Sequence, residues 1–355
     1  MRNSKILILQ GEISSYRVPT FNIIAENFEV TVGYITKDKS DIECKFHKHK
    51  FDTYQIGPFT FVKSLRKYCK QFDVVIFMSD FHVLSYCLLP FGCHKYKTIT
   101  WGIGLRASYT RLYDVERGHG FMDRVEQKLL SSCDASIFYM DKAKEFWRKT
   151  SLDLSRVFIA TNTTTVVNSK VDPLLKTNIL FVGTLYREKG LVQLIDAYKE
   201  AKCLVTNILP LHIVGDGAEA LYLKQYVEEK GLSDSVVFHG AIYDEELLAY
   251  HFQRALLCIS PNQAGLSVPK SMGYGVPFVT NINAITGGEK YHIIHGDNGL
   301  FYKEECGLVD IIVDASKDRD KYVKMGERAK CYYENFATPK HMAQGVIDAI
   351  NFVLK

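Results

Sequence analysis

The loop "VGTLYREKGL" places two cations, Arg187 and Lys189, between an apolar run and a helical pattern. The run ends at Val182, Gly183 turns the chain, Thr184 follows it, and a helix is expected to begin near Lys189. A helix start exposes unpaired N–H groups and the positive end of its dipole, so with two cations it suits a diphosphate. Charge-assisted contacts to phosphate are worth about 1.5–3 kcal/mol each. The same residues also read as two solvated charges at a helix start. A second stretch, "ISPNQAGLSVPKSMGYGVPFVT", has the order strand, loop, short helix, strand. Gly265 permits close backbone approach, and Pro269 suits an early helical position. The N–H groups of Leu266, Ser267 and Val268 are expected to leave the strand's carboxyl end as a second anion cradle. A plain strand-to-helix turn is the alternative. In "LHIVGDGAEA", Gly215, Gly217 and Ala220 match the G-x-G-x-x-A dinucleotide pattern weakly. The pattern belongs to the first unit of a domain, and the next strand offers His239 where an acid would hold a ribose hydroxyl.

The first half has its own candidates. "LQGEISSYRVP" puts Gly11, Tyr16 and Arg17 just after the first apolar run. Arg17 reads as a contact to an acceptor phosphate or to the donor diphosphate, or as one side of a salt bridge at a helix start. "TWGIGLRASYTR" sets Gly102, Gly104 and Arg106 at the end of another run. "FVKSLRKYCKQF" reads as a helix with Lys63, Arg66, Lys67 and Lys70 on one face. That face either docks on an anionic membrane surface or faces solvent. Cys44, His47 and His49 in "CKFHKHKF" are crowded by lysines and read as a solvated charged stretch; no metal is expected there or elsewhere.

These loops need elements to hold them. Continuous apolar runs of strand length ("KILILQ", "FEVTVGYI", "DVVIFM", "KTITWG", "DASIFYM", "RVFIATN") alternate with helical patterns in the first half. The second half repeats this with "NILFVG", "LHIVGDG", "SVVFHG", "ALLCISP" and "PFVTN". Strands apolar on both faces and separated by helices imply parallel sheets covered on both sides. The expected class is therefore α/β, with two Rossmann-like doubly wound domains, 1–170 and 171–337, facing a central cleft. The polar, proline-containing "NSKVDPLLKTN" is the expected linker. The amphipathic segment at 338–355 is expected to pack back on the first domain.

Composition agrees with a folded, water-soluble chain. Of 355 residues, 47% are hydrophobic and 24% charged, which excludes disordered and fibrous classes. No apolar run reaches the length of a membrane span. Nine cysteines without a Cys-x-x-Cys pair suggest a reducing cytoplasm. Residues 1–170 hold 25 Lys and Arg against 17 Asp and Glu (+8), and the remainder 19 against 23 (−4), giving the net charge of +4. A basic first half suggests that it meets something anionic; nucleic acid is not expected as a partner.

Taken together, "VGTLYREKG", "IVGDGAE", "SPNQAGLSVPKSMGYGVPFVT" and "NAITGGEKYHIIHGDNGLFY" resemble the retaining glycosyltransferases of family 4, which have a GT-B fold. The resemblance covers about residues 159–303 in order and with compatible spacing. "SSYRVPTFNIIAE" and "IATNTTTV" match more loosely. It implies that a nucleotide-diphosphate sugar binds mainly to the C-terminal domain and a saccharide or lipid-linked saccharide acceptor mainly to the N-terminal one. Transfer retains the anomeric configuration, in a surface-polysaccharide or glycolipid pathway. Catalysis then requires donors aimed at the leaving diphosphate; Arg187, Lys189 and the amides near Leu266 and Ser267 supply them, and Gly215 and Ile242 lie near the base. No metal or other cofactor is implied.

The chain departs from the family pattern. Thr184 stands where an arginine is usual, with Arg187 as a substitute in the same loop. Asn262 and Lys270 replace two glutamates, usually placed on the donor sugar and the ribose hydroxyls. A lysine cannot accept hydrogen bonds from a diol, so a deoxythymidine diphosphate sugar is one possible donor; alternatively Lys270 pairs with an acid such as Glu289. Ile103 stands where many relatives have histidine, leaving His82 or His119 for any such contact. Two other functions fit the pattern: a sugar-nucleotide epimerase of GT-B fold, and a non-catalytic sugar-nucleotide-binding module.

Overall fold

A computed structural model describes residues 4–107, 113–167 and 170–355 of the chain. Asn168 and Ser169, at the head of the expected linker, and residues 108–111 of "TWGIGLRASYTR" lie outside the described residues. The chain divides into two compact units. The first comprises Met1–Ala107, Tyr113–Thr163 and Thr338–Lys355; the second is built on Thr164–Ala337.

In the first unit the apolar runs become β1 (Lys5–Leu9), β2 (Glu29–Tyr34), β3 (His47–Lys50), β4 (Thr53–Ile56), β5 (Phe59–Val62), β6 (Val74–Met78), β7 (Lys97–Gly102), β8 (Ala135–Phe138) and β9 (Val157–Ile159). Seven of them form a sheet in the order β3-β2-β1-β6-β7-β8-β9, with every pairing parallel. The central strand "KILIL" has Ile6, Leu7, Ile8 and Leu9 fully buried, because both of its faces are covered. One cover is the helix Val18–Ala25; the other element on that face is the last helix, Pro339–Leu354. Val18, Phe21 and Ile24 share one cluster with Met342, Val346 and Ile350. Gly345 lets this last helix sit directly on β9, since a Cβ there would meet the Ile159 carbonyl at 1.9 Å.

One local expectation fails. "FVKSLRKYCKQF" is not one helix: Phe59–Val62 pairs with Thr53–Ile56 as an antiparallel hairpin, and only Leu65–Cys69 is helical. Gly57 adopts φ 56° at the hairpin turn, which the preceding strand-forming residues then exploit. The basic face is accordingly short, and the Arg66 guanidinium is committed to the Leu88 and Phe91 carbonyls. The charged "HKHK" is largely exposed, as expected of a solvated stretch, and forms the edge strand β3, where lysines discourage pairing with another chain.

The second unit contains β10 (Asn178–Val182), β11 (Leu211–Val214), β12 (Val236–Gly240), β13 (Ala255–Ile259), β14 (Phe278–Asn281) and β15 (Gly299–Tyr302). They lie in the order β12-β11-β10-β13-β14-β15, again all parallel. The order reverses between β10 and β13. In such sheets this switch point opens a crevice at the strands' carboxyl ends.

Candidate functional site

The loops after β10 and β13 flank the switch point of the second unit, and they are tied together. The Asn262 amide donates to the Lys189 carbonyl at 3.4 Å, and the Tyr186 hydroxyl donates to Gln263 Oε1 at 2.6 Å. Gly190, at φ 76°, closes the β10 loop; a Cβ there would meet Asn262 Nδ2 at 2.5 Å. Asn262 therefore packs on glycine backbone. The loop is a short 3-10 turn, Arg187–Lys189, followed by the helix Leu191–Leu204.

The β11 turn packs against the β10 loop equally closely. A Cβ on Gly215 would lie 1.9 Å from the Gly183 carbonyl, and one on Gly217 would lie 2.4 Å from the Leu185 carbonyl. The Leu185 amide bonds to Asp216, and the Glu219 amide to Leu185. The two glycines of "VGDG" thus permit loop-on-loop contact, which accounts for them without a dinucleotide.

A cavity of 490 Å³ opens here, lined by Tyr186, Arg187, Gln193, Glu219, Tyr222 and Asn262 among others. Arg187 is exposed at its rim. Lys189 lies on the other side of the loop, near Gly183, with its Nζ 3.5 Å from the position of a Gly183 Cβ. Burial pushes the Lys189 amine down to about 8. Thr184 is exposed, and Ile242, half-buried, packs beside the cluster around Phe252 and Tyr274.

Beyond β13, the helix Ser267–Gly273 begins after Gly265 and Leu266. Among the described residues, the Leu266 and Ser267 amides carry no hydrogen bond, whereas the expected free amide of Val268 donates to the Gly265 carbonyl at 2.9 Å. No atom lies within 4 Å of a Cβ built on Gly265, so that backbone faces open space. Ala264 and Gln263 are steadied by Ile285 of the following segment. The two candidate anion cradles follow neighbouring strands of one sheet, β10 and β13; the cavity beside Arg187 and Asn262 is lined mainly by residues of the first.

Lys270 does not pair with Glu289. Its Nζ donates to Glu245 Oε1 at 2.7 Å, with the lysine side chain 12% exposed and the glutamate 47%. Glu289 instead faces its own loop and accepts from the Gly287 amide at 2.8 Å. Glu245 escaped sequence reasoning because it starts a helix 25 residues away. Glu219 and Gln263 were missed too, although both lie within the quoted stretches.

In the first unit a cavity of 390 Å³ is lined by Ser79, Asp80, His82, Gly104, Arg106 and Glu126 among others. Arg106 and His82 thus line the same cavity. His119 instead packs against Phe146, with the rings tilted at 38°. Gly11 is exposed and its carbonyl accepts from Thr36. Tyr16 is half-buried. Arg17, only 5% exposed, is taken up by packing: it donates to the Tyr139 hydroxyl at 2.6 Å and to Met342 Sδ at 3.5 Å, and lies over the Trp101 ring. It has neither the expected salt bridge nor a side chain open to ligand.

With this geometry in hand, the chain compares closely with solved glycosyltransferases. It shares 16% identity and a TM-score of 0.71 with HepE of Anabaena, solved with UDP, over 98% of this chain and 99% of that one. The sucrose-phosphate synthase of Thermosynechococcus elongatus gives 16% and 0.71 over 99% of each chain. The lipopolysaccharide outer core galactosyltransferase WaaB gives 16% and 0.67 over 98% and 99%. The chain has the GT-B fold. Residues 168–331, under half of the chain, match the family described as glycosyl transferases group 1. No curated protein matches the chain by sequence. Among the described residues, no helix is long and apolar enough to cross a membrane.

Proposed function

We propose that the chain is a retaining glycosyltransferase that moves a sugar from a nucleotide-diphosphate sugar to an acceptor hydroxyl, in the synthesis of a surface polysaccharide or glycolipid. The observation that carries this reading is the switch point of the second unit. There the Arg187–Lys189 loop is hydrogen-bonded to the Asn262 loop, and unpaired amides stand at Leu266 and Ser267. The group 1 match over the same unit supports it.

In the proposed reaction the bond from the anomeric carbon to the phosphate oxygen breaks, and its electron pair goes to the diphosphate. The acceptor oxygen bonds to that carbon on the same face, and its proton goes to a diphosphate oxygen. Arg187, Lys189 and the two amides serve the charge that grows on the leaving group; Thr184 and Gly183 border it, Gly215 and Ile242 take the base, and Asn262 takes the sugar. No metal is assigned to the transfer.

A uridine diphosphate donor is suggested by HepE, which was solved with UDP-glucose. Glu245 bears on this choice. It brings a carboxylate beside Lys270, so a ribose diol has an acceptor nearby and the reason for preferring a deoxynucleotide weakens. The first unit, with Arg106 and Gly11, is assigned to the acceptor. Its exposed Lys63, Lys67 and Lys70 stand in a unit that also exposes Ile56, Phe59 and Phe121, which favours a lipid-linked acceptor at an anionic membrane surface.

A thermal-shift panel of uridine, guanosine and deoxythymidine diphosphate sugars tests the reading, since a ligand of the native state raises the melting temperature. One nucleotide should stabilise the chain, and its sugar should appear on a saccharide or lipid acceptor or as free sugar. Absence of any shift across the panel would overturn the proposal; a shift with no turnover on any acceptor, nor hydrolysis, would favour the non-catalytic module.

A further inference from the structure

Three histidines far apart in sequence meet on the second unit. His212 lies on β11, His239 on β12, and His251 on the helix Glu245–Arg254. One ring nitrogen from each lies within 4.8 Å of the other two. His239 Nε2 and His212 Nδ1 are 3.2 Å apart. The rings of His239 and His251 have centroids 4.4 Å apart at 58°, so they are inclined rather than stacked. All three side chains are half-buried.

We propose that His212, His239 and His251 form a binding site for a divalent transition-metal ion, zinc being the natural occupant. Zinc holds imidazole nitrogens at about 2.0–2.1 Å in a tetrahedron, which separates any two ligand nitrogens by roughly 3.3 Å. The His239–His212 pair already has that separation, and His251, within 4.8 Å of both, needs a shift of at most about 1.5 Å to complete the triangle. Three imidazoles with a fourth position left to water make a set that suits zinc, copper, nickel or cobalt and disfavours magnesium or calcium.

The surroundings agree with neutral ligands. Burial pushes all three rings down, His251 to about 4, so near pH 7 each ring is uncharged and keeps a lone pair. The charged neighbour is Arg254, on the same helix as His251; its guanidinium stacks over the Tyr250 ring at 3.6 Å. The site also has a structural connection. Gly240, next to His239, accepts the Gly215 amide at 2.8 Å. A metal bridging β11, β12 and the helix would fasten the strand end that holds the Gly215 turn. This inference stands on the histidines alone and does not depend on the glycosyltransferase reading.

The test uses the full chain without a histidine tag, stripped with a chelator and titrated with Co²⁺. One equivalent should bind, with the visible bands of a tetrahedral nitrogen-ligated ion, and Zn²⁺ should displace it. His251→Gln and His212→Gln should each weaken binding by more than about tenfold, since even outer-shell changes cost 10–100-fold. His49→Gln, which alters the other cluster near Cys44, should leave it unchanged. No bands in the wild-type chain, or binding lost in His49→Gln and kept in His251→Gln, would overturn the proposal. Circular dichroism confirms the fold of each variant; should both glutamine variants unfold, the wild-type titration decides alone.

Discussion

Lys270 Nζ lies 2.7 Å from Glu245 Oε1, joining the short helix after β13 to the helix after β12. The lysine is nearly enclosed and the glutamate half-open, so the pair is worth more than a surface bridge and less than a buried one. Lys270→Glu sets two carboxylates together and should cost on the order of 1–2 kcal/mol in chemical denaturation. Adding Glu245→Lys should recover most of that loss. A double variant no more stable than the single one would mean that the pair contributes nothing. The same single variant tests donor choice: if position 270 selects the nucleotide, the ranking in the thermal-shift panel changes.

Arg187 and Lys189 should be separable. Arg187→Ala is expected to weaken diphosphate binding by roughly ten- to a hundredfold, the worth of one charge-assisted contact. Isothermal titration with the nucleotide found in the panel measures it. Because Arg187 is exposed, its loss should leave the melting temperature of the free chain unchanged.

Lys189 should impose a pH limit on the same binding. Its amine, pushed down to about 8, is charged below that pH and neutral above it. Only the charged form attracts the sugar-linked diphosphate, whose own charge stays constant over that range. Affinity should therefore be highest below pH 8 and fall as pH rises through it. A titration series at pH 7, 8 and 9 should show the fall in the wild type and a flat profile in Lys189→Met.

Gly215 and Gly265 should behave oppositely. Gly215→Ala drives a methyl group into the Gly183 carbonyl and should cost about 3 kcal/mol or more, because both partners are backbone. Gly265→Ala meets nothing within 4 Å and should leave stability within about 0.5 kcal/mol. If an anion approaches that backbone, nucleotide binding falls in Gly265→Ala at unchanged melting temperature.

Lys176 offers a stability test. It is 2% exposed, donates to the Tyr274 and Phe252 carbonyls, and burial pushes its amine down from 10.5 to about 7. The folded state therefore binds fewer protons than the unfolded state between those values, and this group's contribution to stability rises with pH across that window. Below about pH 7 the charged amine is a full penalty. Lys176→Met should accordingly be most stabilising, relative to wild type, at pH 6, and its advantage should shrink towards pH 10.

Much of this was legible before any coordinates. "KILIL" and "ALLCI" are apolar at every position, and such strands can be satisfied only inside a parallel sheet. The glycines of "VGDG" and the cations of "YREKG" were visible because they lie in short loops after such strands. What escaped was whatever depends on distant partners. Nothing local to Lys270 names Glu245, and nothing local to Arg17 shows that Tyr139 and Met342 will enclose it. The histidine triad joins positions 212, 239 and 251, a spacing with no local signature. "FVKSLRKYCKQF" misled because its helical spacing was read without the glycine at 57, whose positive φ makes a hairpin of its first residues.

The last helix completes a core begun more than 300 residues earlier. Met342, Val346, Ile350 and Val353 fill the side of the sheet built from β1 and β6, while the whole of the second unit intervenes between β9 and that helix. During synthesis the chain emerges from its amino end, so the second unit has all of its residues made while the first still lacks a wall. The first unit therefore keeps one face of its sheet open until its own last helix has been made, so its closure and the completion of the second unit draw on the same final stretch of chain.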